Sequence, residues 1–306
     1  MRKSLLVSFL VILFGFISMG CGNEKITESV KEGQVPDASN SIDTSEINLS
    51  SSDSSEPLTP DEIDVPTLFI HGYKGSEGTF SGMVSRFEAR SFGKKVLTVT
   101  VQPDGSVSET GEWQEQTNNP LILVVFADSE NNEWNQADWI KAVLSYLNNM
   151  HQIDEVNLVG HSMGAVSSLR YLITYGSEGS LPTVNRFVAI GAPFNDFVTG
   201  NEEQTLDELN QNGPLVMSER YRDFAAGIQN YPKETTMLNI VGDIQDESEG
   251  DGIVPIKSGL AISHLMQTNG LEYRYEVITG LKAYHSQLHE NTQVDALVAD
   301  FLWDTP

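Results

Sequence analysis

Short apolar runs and longer amphipathic stretches alternate along most of the chain. The runs are Thr67-Leu68-Phe69-Ile70, residues 96–101, residues 121–126, Val156-Asn157-Leu158-Val159, Phe187-Val188-Ala189-Ile190, residues 237–241 and residues 273–278. Their β-branched and apolar character predicts buried strands. Ala137, Ile140, Val143, Leu144 and Leu147 fall at helical spacing, as do Val166, Leu169, Leu172 and Ile173. A third such face is Val294, Leu297, Val298, Phe301 and Leu302. Helical stripes of this kind are core-facing. Residues 102–119, with Pro103-Asp104-Gly105 as a turn, read as a hairpin-like excursion. The alternation predicts an α/β domain over residues 65–306, with a mainly parallel sheet covered by helices on both faces. No polar linker divides it.

Residues 1–64 break this pattern. Arg2 and Lys3 precede an apolar run over residues 5–17, and Ser18-Met19-Gly20 then leads to Cys21. This is the architecture of an export signal over residues 1–20. Such a run spans only about 20 Å as a helix, short of the ~30 Å hydrocarbon core, so a permanent transmembrane helix is the weaker reading. The junction resembles the lipobox of bacterial lipoproteins, in which the cysteine is acylated and becomes the mature N-terminus. Cys21 is then a membrane anchor, and two acyl chains hold a bilayer stably where one does not. Ser18 stands where a lipobox usually has Leu, and Met19 is also unusual, so cleavage by an ordinary signal peptidase is the alternative. Residues 21–64 are rich in Ser, Asp, Glu, Thr and Pro, with eleven acidic side chains against Lys25 and Lys31. They predict an extended, self-repelling tether; an acidic interaction tail is the rival reading.

Composition narrows the function. The 306 residues include 43 acidic and 18 basic side chains, a formal charge of -25. Nucleic acid is excluded as a probable partner class, because phosphate neutralisation by Lys and Arg dominates that affinity. The single cysteine excludes an internal disulfide and any multi-cysteine metal site.

The strongest chemical signal is Gly160-His161-Ser162-Met163-Gly164, directly after an apolar strand and at the start of an amphipathic helix. That is the setting in which a G-x-S-x-G turn presents a nucleophile, here Ser162. A serine needs a base and an orienting acid. In this arrangement they follow in the order Ser, Asp or Glu, His, each after a later strand. The run over residues 237–241 is followed by a loop with five carboxylates, Asp243, Asp246, Glu247, Glu249 and Asp251. Asp251 is preferred, because Asp-Gly-Ile-Val-Pro sets it before a turn and an apolar segment that can lock it. Asp243 is the alternative, and the remaining carboxylates read as solvated. The loop lacks the spacing of a twelve-residue calcium site. Among six histidines only His285 and His289 follow the last strand. His285 is the expected base, with His289 bonding locally; His161 is expected to pack. The oxyanion donors are expected to be the backbone N–H groups of Met163 and, from the loop His71-Gly72-Tyr73-Lys74-Gly75, of Tyr73, with Lys74 as the alternative.

Together these residues resemble the α/β-hydrolase superfamily, specifically its lipase-like esterases. More narrowly, HGYKGS (71–76), NPLILVVFADSENN (119–132), LVGHSMGA (158–165), VAIGAPFN (188–195), GDGIVP (250–255) and HSQLHEN (285–291) look like a bacterial family of surface-exposed α/β hydrolases. The resemblance implies the α/β-hydrolase fold, cleavage of small carboxylic esters, short acyl chains and no cofactor. Residues 195–232 are long enough to form a small cap; Leu206, Leu209, Leu215, Val216, Phe224 and Ile228 in it serve either as an acyl-chain wall or as core. Peptide, thioester or acyl-acceptor chemistry uses the same triad, and a tethered binding protein without catalysis is a further alternative.

Overall fold

The computed structural model describes residues 64–305. The expected export signal, Cys21 and nearly all of the expected tether lie outside the described residues. The strands are β1 (Thr67–Ile70), β2 (Lys94–Val101), β3 (Val107–Gly111), β4 (Pro120–Phe126), β5 (Glu155–His161), β6 (Thr183–Ile190), β7 (Thr236–Asp243) and β8 (Tyr273–Thr279). They form one sheet in the order β3-β2-β4-β1-β5-β6-β7-β8. Every neighbouring pair is parallel except β2 and β3, the antiparallel hairpin expected in the 102–119 segment. Its turn closes through Gln102 N–H on the Ser106 carbonyl at 2.9 Å.

Strand side chains alternate between two cores, as the period of two requires. Leu68 and Ile70 of β1 face one core and Phe69 faces the other. The first core is filled by α2 (Glu133–His151) and α3 (Met163–Tyr175), the second by α1 (Gly78–Ala89) and α8 (Thr292–Trp303). Burial on both sides explains why the inner strands read as nearly continuous apolar runs, while the edge strands β3 and β8 carry exposed polar residues. Helix α1 was not among the predicted stripes, although Phe80, Met83, Val84 and Phe87 carry one and are buried. Asn132 caps α2 by accepting from Trp134 N and Asn135 N, both at 3.0 Å, and Asn291 caps α8 through Gln293 N at 2.9 Å.

The chain leaves β1 for β2 and β4 on one side, and returns to place β5 on the other. The following helices, α1 and α3, lie on opposite faces. This reversal falls at the carboxyl ends of β1 and β5, the place where open α/β sheets characteristically bind ligands. Short helices α4 (Leu206–Asn212) and α5 (Glu219–Gly227) follow β6, and α6 (Ile256–Leu260) and α7 (Ile262–Thr268) precede β8. Of the apolar residues considered for an acyl-chain wall, Leu209, Phe224 and Ile228 are buried core and Leu206 packs against that core, whereas Leu215 and Val216 are exposed.

Candidate active site

Ser162 stands between β5 and α3 with φ 54° and ψ -124°, a conformation that costs a non-glycine residue on the order of 1–3 kcal/mol. Its backbone N–H is pinned to Ile190 O at 2.8 Å. The flanking glycines are dictated by contact. A Cβ on Gly160 would lie 2.6 Å from Ala165 Cα, and one on Gly164 would lie 2.3 Å from Ile70 O. Serine is a favoured helix cap, yet Ser162 Oγ makes no capping hydrogen bond, unlike Asn132 and Asn291. The hydroxyl is therefore left available at the N-terminus of α3, where the helix dipole favours negative charge.

The turn that follows β7 builds a carboxylate site from local backbone. Asp251 Oδ1 accepts from Ile253 N at 2.9 Å and from Val254 N at 2.6 Å. Its other oxygen, Oδ2, lies 2.6 Å from His285 Nδ1. Asp251 is 1% exposed, so this pairing is shielded from water. The Asp251 carbonyl also accepts His285 N–H at 2.9 Å, fixing the histidine by both backbone and ring. With Nδ1 committed, Nε2 is the uncommitted ring nitrogen of His285 among the described residues. Gly191, the residue after β6, fits tightly against the pair: a Cβ there would stand 3.2 Å from His285 Nδ1 and 3.3 Å from Asp251 Oδ2.

Asp243 is placed differently. It is the last residue of β7, and its Oδ1 accepts from Gln245 N at 2.8 Å. Asp246 and Glu249 are exposed, the first capping Ser248 N at 2.8 Å and the second pairing with Lys257 at 2.9 Å. No group of three or more potential metal ligands occurs among the described residues. His289 lies behind the site; its ring packs on His161 and Phe80.

The loop after β1 lies directly on the serine turn. A Cβ on Gly72 would be 2.9 Å from Ser162 Cβ and 3.5 Å from Met163 N. Met163 is the first residue of α3, so its N–H has no partner within the helix. Lys74 N–H is already given to Ser129 O at 2.9 Å and Gly75 N–H to Gly72 O at 3.0 Å, whereas Tyr73 N–H makes no such bond among the described residues.

Two histidines have roles that spacing alone did not reveal. His71 accepts Phe126 N–H at Nε2, 3.0 Å away, and therefore donates from Nδ1 to Gly72 O at 2.8 Å. It ties the end of β4 to the loop beside Ser162. His161 donates from Nε2 to His285 O at 3.1 Å, and the two rings are 4.6 Å apart. Burial, reinforced by His285 and His289 nearby, holds the His161 pKa well below its usual range; burial lowers that of His71 as well. Both rings are thus neutral donors. A histidine next to a strand-end glycine was the only sequence signal available, and it does not specify these bonds.

A second buried ionic cluster occupies the same edge of the sheet. Glu133 contacts the Arg170 guanidinium through Oε1 and Arg220 Nε through Oε2, the latter at 2.6 Å. Arg170 also lies 3.2 Å from the centre of the Trp134 ring, and Arg220 reaches Asp196 Oδ1 at 3.0 Å.

Solved structures with the same architecture include a gene product of Listeria innocua, 24% identical, covering 79% of this chain and 95% of its own, with a TM-score of 0.74. A protein of Lactobacillus plantarum assigned as a cell surface hydrolase is 21% identical, covering 80% of this chain and 94% of its own, with a TM-score of 0.66. At these identities the likeness is one of fold. No curated protein matches the sequence. The family model described as alpha/beta hydrolase of unknown function (DUF915) matches residues 56–305. With that match across the whole described domain, the chain belongs to this family of α/β hydrolases.

Proposed function

We propose that the protein is a serine hydrolase that cleaves carboxylic esters through an acyl-enzyme. The observation that carries this reading is the buried Asp251–His285 pair, 2.6 Å from oxygen to nitrogen, beside the strained Ser162 turn. In this mechanism His285 Nε2 removes the Ser162 Oγ proton as Oγ bonds to the ester carbonyl carbon. Asp251 holds the Nδ1–H tautomer and balances the imidazolium that forms. The N–H groups of Met163 and Tyr73 receive the negative charge on the carbonyl oxygen. Collapse of the tetrahedral species breaks the bond to the alkoxide, which leaves with the proton from His285. Water then gives its proton to the same nitrogen, attacks the acyl carbon and releases the carboxylic acid and free Ser162. No cofactor enters either half-reaction.

The reading extends to location: an exported protein held at the membrane through Cys21, with residues 21–64 as spacer. Support comes from the basic start, apolar run and lone cysteine of the sequence. No helix among the described residues is long and apolar enough to cross a membrane.

The direct test is turnover of p-nitrophenyl esters, acetate through palmitate, by the purified full chain and its Ser162→Ala variant. Loss of activity by about 10³-fold or more in the variant is expected for removal of the nucleophile. Absence of turnover for every ester by the wild-type chain would overturn the reading.

A further inference from the structure

Among the described residues, every exposed large apolar side chain except Met150 lies on a loop or helix start at the carboxyl edge of the sheet, the edge that holds Ser162. Scattered exposed apolar residues are ordinary, but their gathering along one edge of the sheet is not. One part of this edge is built with particular care. Asn195, Asn201 and Gln204 are 1%, 7% and 3% exposed. The amides of all three are spent on the backbone of a single short segment. Asn195 Nδ2 and Asn201 Nδ2 both donate to Val216 O, at 2.9 and 3.0 Å. Val216 N–H is returned to Asn201 Oδ1 at 2.8 Å, and Ser218 N–H to Asn195 Oδ1 at 2.9 Å. Gln204 donates to Gly213 O at 2.8 Å and accepts from Leu215 N at 3.3 Å.

The product of this buried framework is a fixed strip whose side chains, Leu215, Val216 and Met217, point to solvent. Leu215 is 68% exposed, and Phe197, between the two asparagines in sequence, is 56% exposed. Holding apolar groups in water stabilises nothing by itself, so a strip fixed outward by three buried, fully hydrogen-bonded amides is explained if it is covered in use. Its position says by what. Asn195 belongs to the loop that begins at Gly191, the residue pressed against His285 and Asp251. The loops around it and the first turn of α4 expose Glu202, Glu203, Asp207, Asp246 and Glu247, which repel an anionic partner.

We propose that Phe197 and the strip of Leu215, Val216 and Met217 form a preorganised platform for the acyl chain of an uncharged ester, so that the site prefers medium or long acyl chains to acetate. This rests on the ester-hydrolase reading and runs against the short acyl chains that the family resemblance implies. Preorganisation matters because a platform already held rigid loses little entropy when the chain lies on it.

The test compares p-nitrophenyl octanoate with acetate in the full chain, in Leu215→Ser and Phe197→Ser, and in Met150→Ser as a control at the opposite edge. The ratio of kcat/KM for octanoate over acetate is expected to fall about tenfold or more in the first two variants, and to stay at the wild-type value in the third. An unchanged ratio in Leu215→Ser and Phe197→Ser, with thermal midpoints preserved, would overturn the platform. A second measurement separates the platform from the chemistry. Binding of methyl octanoate to the Ser162→Ala chain, followed by tryptophan fluorescence, should weaken when Leu215→Ser is added. Chain-dependent binding without wild-type turnover would keep the platform and sink the hydrolase reading; turnover with no chain-length preference and no such binding would do the reverse.

Discussion

Two buried carboxylates at the carboxyl edge of the sheet, Asp251 and Glu133, have cationic or ionisable partners and yet are built for different work. Glu133 spends both oxygens on guanidinium groups, and those groups are further engaged by Trp134, Phe224 and Asp196. Its network joins α2, α3, α5 and the loop after β6, and it is saturated. Asp251 spends one oxygen on two backbone N–H groups of its own turn and the other on a single ring nitrogen. The partner ring keeps a second nitrogen uncommitted. A saturated network can only hold elements together, whereas a network ending in a free basic nitrogen can move a proton. Burial and charge are common to both, so neither distinguishes a reactive site; the unspent bonding capacity does.

That contrast breaks most sharply under paired substitutions. Asp251→Asn should lower kcat by about 10³ to 10⁴ through loss of the correct imidazole tautomer, with the fold retained. Asp243→Asn, assayed beside it on the same ester, should change kcat less than about twofold, since that carboxylate only caps its own turn and exposed caps act within tenths of a kcal/mol to about one. A large loss in Asp243→Asn with little in Asp251→Asn would move the acid to the end of β7.

Glu133→Gln should act on stability instead. It leaves Arg170, which is 2% exposed, and Arg220 without their shared counter-charge, at a cost of about 3–5 kcal/mol. Urea unfolding of the full chain measures this, and a variant as stable as wild type but catalytically dead would erase the distinction between the two clusters.

The smallest effect concerns the histidine braces. Burial lowers the pKa of His161, His71 and His289 in the folded protein. Between those lowered values and about 6.5, the unfolded chain binds more protons than the folded one. Stability therefore rises with pH across that window, and is lost as pH falls below about 6.5. Thermal midpoints recorded from pH 8 to pH 5 should fall toward acid, and His161→Gln should flatten the slope. An identical slope in the variant would show that His161 is not a principal contributor.

The legibility of this protein varied with the range of the interaction concerned. The seven apolar runs lie within strands of the sheet; the inner strands are apolar along their length because both faces are covered, whereas edge strand β8 alternates, with Arg274 and Glu276 exposed. The serine turn was legible because its glycines sit at fixed spacing about Ser162, although only Gly160 answers to the turn itself, at Ala165, while Gly164 answers to Ile70 of β1, a contact that the assembled sheet supplies. Helix α1 went unread although its apolar spacing was present. The fate of the 195–232 segment was not legible at all, since Leu209 and Leu215 are alike in sequence while one is core and the other exposed. Amides of Asn195, Asn201 and Gln204 decide that difference, and nothing in their spacing announces which backbone they hold.

The amino-acid sequence by itself determined the alternation of strands and helices, the serine motif and the small set of acids and histidines able to serve it, because each is written in residue types and spacings within a short stretch of chain. Only the tertiary structure decided that Asp251 and His285, 34 residues apart, share a hydrogen bond. It alone made His71 and His161 neutral braces and turned Leu215 outward. Those outcomes depend on which strands become neighbours and which groups lose water together, and both are properties of the assembled sheet and not of any segment within it.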